Sequence, residues 1–199
     1  MGEPVGKRIV IFPFEAKNSD AKAAERNWKQ ARKNKIGGAK YRDGDTGKLL
    51  EGVENYDFYD LSQFDALKER IATCVSGNDQ IYVLGHCAPG SSILGADETL
   101  KGGGIEAVDL ARLFALGSRL GLPRAFAGKL KIYACFSVVS ISAEKPSFAA
   151  TFKKYMDLAK YTNCSIIGYS AELGNYEGEH KVAGTGRDKK RAKETQVPA

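Results

Sequence analysis

Residues 80–87 read QIYVLGHC and residues 129–137 read KLKIYACFS. In the first, Gln80 to Gly85 is a nearly continuous apolar run, the pattern of a strand buried on both faces of a sheet. In the second, Lys129 to Ala134 reads as another strand. Between them, residues 86–104 form a loop rich in glycine and serine. Residues 106–120 follow as a helix with Leu110, Leu113 and Phe114 turned inward, ending at Gly121. Strand, helix and strand in that order imply a right-handed crossover and two parallel strands.

The rest of the chain extends the alternation. Lys7 to Phe12 reads as a first strand ended by Pro13, and Asp20 caps a helix with Ala21, Ala24, Trp28 and Ala31 on one face. Residues 34–51 read as a loop, and Tyr56 to Tyr59 as a short strand. Ser62 then caps a helix whose apolar face is Phe64, Leu67, Ile71, Cys74 and Val75. Ser147 caps a further helix with Phe148, Phe152, Tyr155, Met156 and Ala159, and residues 164–169 form a last core strand. The expected architecture is α/β in three layers, a mostly parallel central sheet with helices on both faces. In such sheets, chemistry sits beyond the carboxyl ends of the strands.

Composition bounds the function classes. With 199 residues, 43% hydrophobic and 27% charged, the chain has the length and apolar content of one globular domain. We assign it to residues 1–185, with residues 186–199 as a basic, flexible tail. No apolar run approaches the roughly 20 residues of a membrane helix, and residues 1–8 carry no apolar leader core. The expected compartment is a cytosol. Cys74, Cys87, Cys135 and Cys164 form no Cys-x-x-Cys pair, so neither a metal centre nor a disulfide framework is expected.

The net charge of +6 is concentrated in two runs, Lys29 to Arg42 and Arg187 to Lys193. Neither run is interleaved with aromatic residues, so both read as solvated charge rather than a single-strand nucleic-acid surface. The phosphate-loop-like stretch GDTGK at 44–48 lacks the required spacing and a preceding strand. Asp43, Asp45 and Glu54 match calcium-loop positions, but Lys48 stands where that loop needs Gly. Gly102 to Gly104 has no strand close before it.

The strand ends carry the chemistry. His86 follows the first quoted strand and Cys135 the second, 49 residues on. Attack of a thiol on a carbonyl needs a nearby imidazole to handle protons, and amide N–H groups past a strand end can hold the oxyanion. Cys87 is the rival nucleophile, but its side chain should diverge from that of the preceding His86 along an extended backbone. Cys74 and Cys164 read as core, and His180 lies in a polar segment.

An Ala-Cys pair with a His about 50 residues upstream is a caspase signature, and Ala134-Cys135 with His86 fits it. The chain resembles the caspase-like clan CD cysteine peptidases, most closely the self-processing cysteine protease domains of large bacterial toxins. The resemblance spans residues 80–169, through IYVLGHCAPGSS, the helix ending GLP, KIYACFS, SFAATF and IIGYS. It implies an endopeptidase with Cys135 as nucleophile and His86 as the catalytic histidine, with the amides of Cys87 and Cys135 as oxyanion hole. The substrate would be a peptide or protein, including the chain itself, with no membrane partner. Location would be the cytoplasm or a host cytosol reached without a Sec signal.

The same resemblance implies inositol hexakisphosphate as an allosteric activator, bound by the two basic runs. The clan places Gly where this chain has Cys87, and a side chain there is expected to resist positive φ and slow the enzyme. The alternatives are a catalytically impaired caspase-like binding domain and a basic nucleic-acid-binding α/β protein. The acidic partner of His86 stays open among Asp20, Asp43 and Asp60.

Overall fold

Short apolar runs with turn residues at both ends make short strands, and these build the centre of the molecule. The structure, a computed structural model, describes residues 6–14, 26, 56–115, 120–177, 180–183, 190–191 and 195–199. In chain order the elements are β1 (Arg8–Phe12), β2 (Tyr56–Asp60), α1 (Phe64–Ala72), β3 (Gln80–Leu84), β4 (Ile93–Gly95) and β5 (Gly104–Glu106). Then come α2 (Ala107–Phe114), β6 (Lys129–Tyr133), α3 (Phe148–Leu158), β7 (Ser165–Tyr169), β8 (Leu173–Glu177), β9 (His180–Ala183), β10 (Lys190–Arg191) and β11 (Gln196–Pro198).

Six strands form one sheet in the order β11-β7-β6-β3-β1-β2. All neighbours are parallel except β11, which runs antiparallel to β7. The fold is therefore α/β with a mostly parallel central sheet. Ile9 to Phe12 and Ile81 to Leu84 are buried at every position, so both faces of the interior strands β1 and β3 are covered.

The crossovers carrying α1, α2 and α3 all travel the same way across the sheet, from β2 towards β7. Right-handed crossovers put these three helices on one face. The helix expected from Ala21 to Ala31 lies outside the described residues, apart from a helical Arg26. On the helical face Phe114 of α2 meets Phe152 of α3 edge-on, centroids 6.1 Å apart, with Leu110, Phe148 and Met156 buried around them. Cys74 is fully buried beyond α1, as a core residue should be.

Several boundaries differ from the sequence expectation. A 3-10 turn, Leu61–Gln63, precedes α1 and is capped by Asp60, not Ser62; α1 itself starts behind Gln63 with no side-chain cap bond. The Asp60 carboxylate accepts the Ser62 N–H at 2.7 Å, and Gln63 reaches back to the Asp60 N–H at 3.4 Å. This reciprocal box satisfies donors that a helix start leaves open. The loop of residues 86–104 contains a hairpin, β4 against β5. Residues 196–198 had the character of a tail, yet they pair with Tyr169, Gly168 and Ile167 as an edge strand. Pro198 fits there because an edge strand can spare an N–H. β8, β9 and β10 form a small antiparallel sheet in the order β10-β9-β8, where the sequence carries no clear signal.

Asp79 holds the amino edge together. It is buried, and its carboxylate accepts the N–H groups of Lys7 (2.8 Å) and Ser76 (2.9 Å). Its own carbonyl accepts the Lys129 N–H at 2.9 Å. The entries to β1, β3 and β6 thus converge on one residue. Asp79→Ala strands two amide donors, each costing about 1–3 kcal/mol when unpaired. A clear drop in the urea midpoint is the expected result, and an unchanged midpoint would contradict this account.

Candidate active site

Parallel pairing fixes what lies beyond the strands. β3 and β6 pair from Gln80↔Lys129 to Leu84↔Tyr133, every pair 49 residues apart. His86 and Cys135 have that same separation. They therefore stand at equivalent positions, two residues past the last pair of adjacent strands, at the carboxyl edge of the sheet. The Gly85 N–H still reaches the Tyr133 carbonyl at 3.4 Å, so the alignment continues past the strand ends.

Three segments meet at this edge. Residues 85–90 lie on one side, held by a two-way backbone bridge. The His86 N–H donates to the Gly95 carbonyl and the Gly95 N–H to the His86 carbonyl, both at 2.8 Å. Residues 133–139 lie in the middle. Residues 169–173 lie on the other side, their carbonyls accepting from Phe136 N (to Ala171, 3.2 Å) and Val138 N (to Tyr169, 3.3 Å). A further bond, Gly90 N–H to the Val139 carbonyl at 2.7 Å, ties the first segment to the second.

The chain turns sharply after the cysteine. Phe136 adopts φ 51, a left-handed conformation costly for a bulky side chain, and such strain persists only where the surroundings impose it. Ser137 is the main restraint. Its buried hydroxyl donates to the Ile132 carbonyl and accepts the Tyr169 N–H, both at 3.0 Å, bridging β6 to β7. Its carbonyl accepts the Ala149 N–H at 2.9 Å in the first turn of α3. Gly168 leaves room for this, since a Cβ there would lie 2.8 Å from the Ser137 hydroxyl. The sequence reading missed Ser137; a lone serine two places beyond a strand-end cysteine was the available signal. Ser137→Ala leaves the Tyr169 N–H unpaired in the core. We expect it to lower the unfolding free energy by about 1–3 kcal/mol in urea titration.

Cys135 is half-buried. The Leu173 N–H, at the start of β8, donates to its sulfur at 3.2 Å. Burial pushes the thiol above its ordinary value, the Leu173 amide pulls it back, and the carboxylates of Glu172 and Glu98 push it up again. No sequence pattern announces a backbone donor of this kind. Cys87 is also half-buried and packs against the core. Its thiol is pushed up to about 12, first by burial and then by Cys135. Among the described residues, the backbone N–H of Cys87 has no hydrogen-bond partner, and that of Cys135 has none but its own sulfur. Those of His86 and Phe136 beside them are both engaged.

The expected strain at position 87 is absent. Non-glycine residues with positive φ are Leu100, Phe136 and Lys160 among the described residues, and Cys87 is not one of them. The unusual backbone falls after the cysteine, not after the histidine. Cys87→Gly is therefore expected to leave turnover no faster and to lower the melting temperature through lost packing. A faster single-turnover rate would contradict this.

The other sequence candidates are placed less centrally. Asp60 caps the turn Leu61–Gln63 through Ser62 and sits on β2, two strands from β3. Among the described residues no carboxylate bonds the His86 ring. Asp20, Asp43 and the basic run 29–42 lie outside the described residues, as does the run 187–193 apart from Lys190 and Arg191. His180 opens β9. Cys164 precedes β7 at the opposite, amino edge. Among the described residues no cluster of three His, Cys, Asp or Glu side chains could hold a metal ion, and no helix is long and apolar enough to cross a membrane. No protein-family model matches the chain, and none of the curated proteins matches it.

Proposed function

We propose that this domain is a caspase-like cysteine endopeptidase, with a three-layer fold of that type, acting on a peptide or protein that includes its own chain. The observation that carries the reading is the register: the β3–β6 pairing has the same 49-residue offset as His86 and Cys135. Two amides at the same strand ends that bond no other residue among those described support it, because an oxyanion hole needs N–H groups not tied up elsewhere.

The steps follow from the groups present. The raised thiol rests protonated, so deprotonation belongs to the attack itself. His86 takes the proton as the Cys135 sulfur bonds to the scissile carbonyl carbon. The carbonyl oxygen gathers negative charge and accepts the N–H groups of Cys87 and Cys135. Collapse of this intermediate breaks the C–N bond, and His86 returns the proton to the leaving amine. Water, deprotonated by His86, then attacks the thioester and releases the acid, restoring the thiol.

Inositol hexakisphosphate enters the proposal as an activator bound by the basic runs 29–42 and 187–193. A fluorogenic peptide library, assayed with and without that anion, tests the reading. Hydrolysis that disappears on thiol alkylation is expected. A native chain that cleaves neither the library nor itself under both conditions would favour the binding-domain alternative. Strongly salt-dependent binding to DNA or RNA would favour the nucleic-acid alternative.

A further inference from the structure

The edge that holds Cys135 also holds a second thiol, for which the proposed hydrolysis has no use. Cys87 is one residue out of register with Cys135 on the adjacent strand. Strand spacing of about 4.8 Å and a rise of about 3.3 Å per residue put the two Cα atoms about 6 Å apart. A disulfide needs a Cα separation of roughly 4.4–6.8 Å. Ideal alternation would send the side chains to opposite faces. The alternation is broken before each cysteine, however: the Ala134 N–H turns back to the Ile132 carbonyl at 3.0 Å just ahead of Cys135, and His86, just ahead of Cys87, pairs with Gly95 instead of with the strand of Cys135. The Cys135 sulfur lies near enough for its charge to raise the Cys87 thiol.

We propose that Cys87 and Cys135 form a reversible intramolecular disulfide when the chain meets a peroxide oxidant. The regulatory consequence rests on the peptidase reading: the bond would take the nucleophile out of service until a thiol reductant restores it.

The chemistry balances with hydrogen peroxide as co-reactant. The Cys135 sulfur attacks one peroxide oxygen as the thiol gives up its proton, the O–O bond breaks, and the leaving hydroxide takes up that proton as water. Cys135 is now a sulfenic acid. The Cys87 sulfur attacks the Cys135 sulfur, the S–O bond breaks, and the departing hydroxide takes the Cys87 proton as a second water. The two thiols lose two electrons and the peroxide gains them. Cys135 reacts first because its thiolate has the Leu173 N–H as donor. Cys74 is fully buried and Cys164 lies at the opposite edge of the sheet, so neither competes.

The test treats the full chain with hydrogen peroxide under native conditions, alkylates the remaining thiols and maps peptides without reduction. The expected product is one linked peptide pair, Cys87 to Cys135, with a mass loss of two hydrogens that dithiothreitol reverses. Cys164 should stay alkylatable. Cys135 recovered as sulfinic or sulfonic acid beside an alkylated Cys87 would overturn the proposal. Cys87→Ser should send Cys135 on to sulfinic acid, and a variant whose Cys135 resists as well as wild type would also overturn it. The readout is mass, not hydrolysis. A linked pair in a chain that hydrolyses no peptide would sink the peptidase reading and leave the disulfide standing.

Discussion

Replacing Cys135 with alanine is expected to abolish peptide hydrolysis and self-cleavage, by a factor on the order of 10⁴ or more. The magnitude follows from what remains. Without the sulfur there is no covalent intermediate, and His86 has only water to activate against an amide. The oxyanion amides and substrate binding would survive, because the backbone at 135 is held by its neighbours rather than by its side chain. Phe136 is anchored to Ala171 and Ser137 bridges β6 to β7. The variant should therefore fold. The controls are Cys74→Ala, which opens a small core cavity, and Cys164→Ala at the amino edge. Both should keep hydrolysis within a few-fold of wild type while Cys74→Ala lowers stability by about 1 kcal/mol. Equal loss of activity in all three would indicate damage to folding and remove Cys135 from its proposed role.

Gly85→Ala is expected to cost both stability and activity, for a reason visible one residue before the histidine. A Cβ at Gly85 would lie 2.6 Å from Leu94 Cγ and 2.9 Å from the Gly95 carbonyl oxygen. Leu94 is fully buried, so it cannot swing into solvent. The Gly95 carbonyl is the acceptor for the His86 N–H. The added methyl must push β4 away and break the bridge that orients His86. Overpacking of this kind costs about 1–3 kcal/mol. A shift of about 1 Å in a catalytic group costs about 100-fold in rate. Denaturant titration and kcat/KM against a common peptide would measure both. A variant as active as wild type would show that the His86–Gly95 bridge does not position the catalytic group.

The strands were legible because they are apolar in runs of five with turn residues around them. QIYVL and KLKIY became β3 and β6 with boundaries within a residue of expectation. The 49-residue spacing was legible too, since it is the length of one crossover. What sequence could not supply was the chemistry of backbone groups. Leu173 N–H on the Cys135 sulfur and the Gly95 bridge to His86 depend on segments far apart in the chain. The strain falls at Phe136 and not at Cys87, where the resemblance implies it, because the φ at position 87 is not positive in this chain. Charge and Pro198 hide β11 in the sequence, because an edge strand needs only three backbone pairings to dock.

Labelling with a peptidyl electrophile tests the central claim most directly, since it needs no knowledge of the substrate beyond a thiol-reactive peptide. The native chain is treated under reducing conditions, digested and mapped by mass spectrometry, with His86→Ala alongside. The account predicts a single adduct on Cys135 that forms much more slowly in His86→Ala. An adduct on Cys87 instead, or labelling of Cys135 at the same rate without His86, would contradict it.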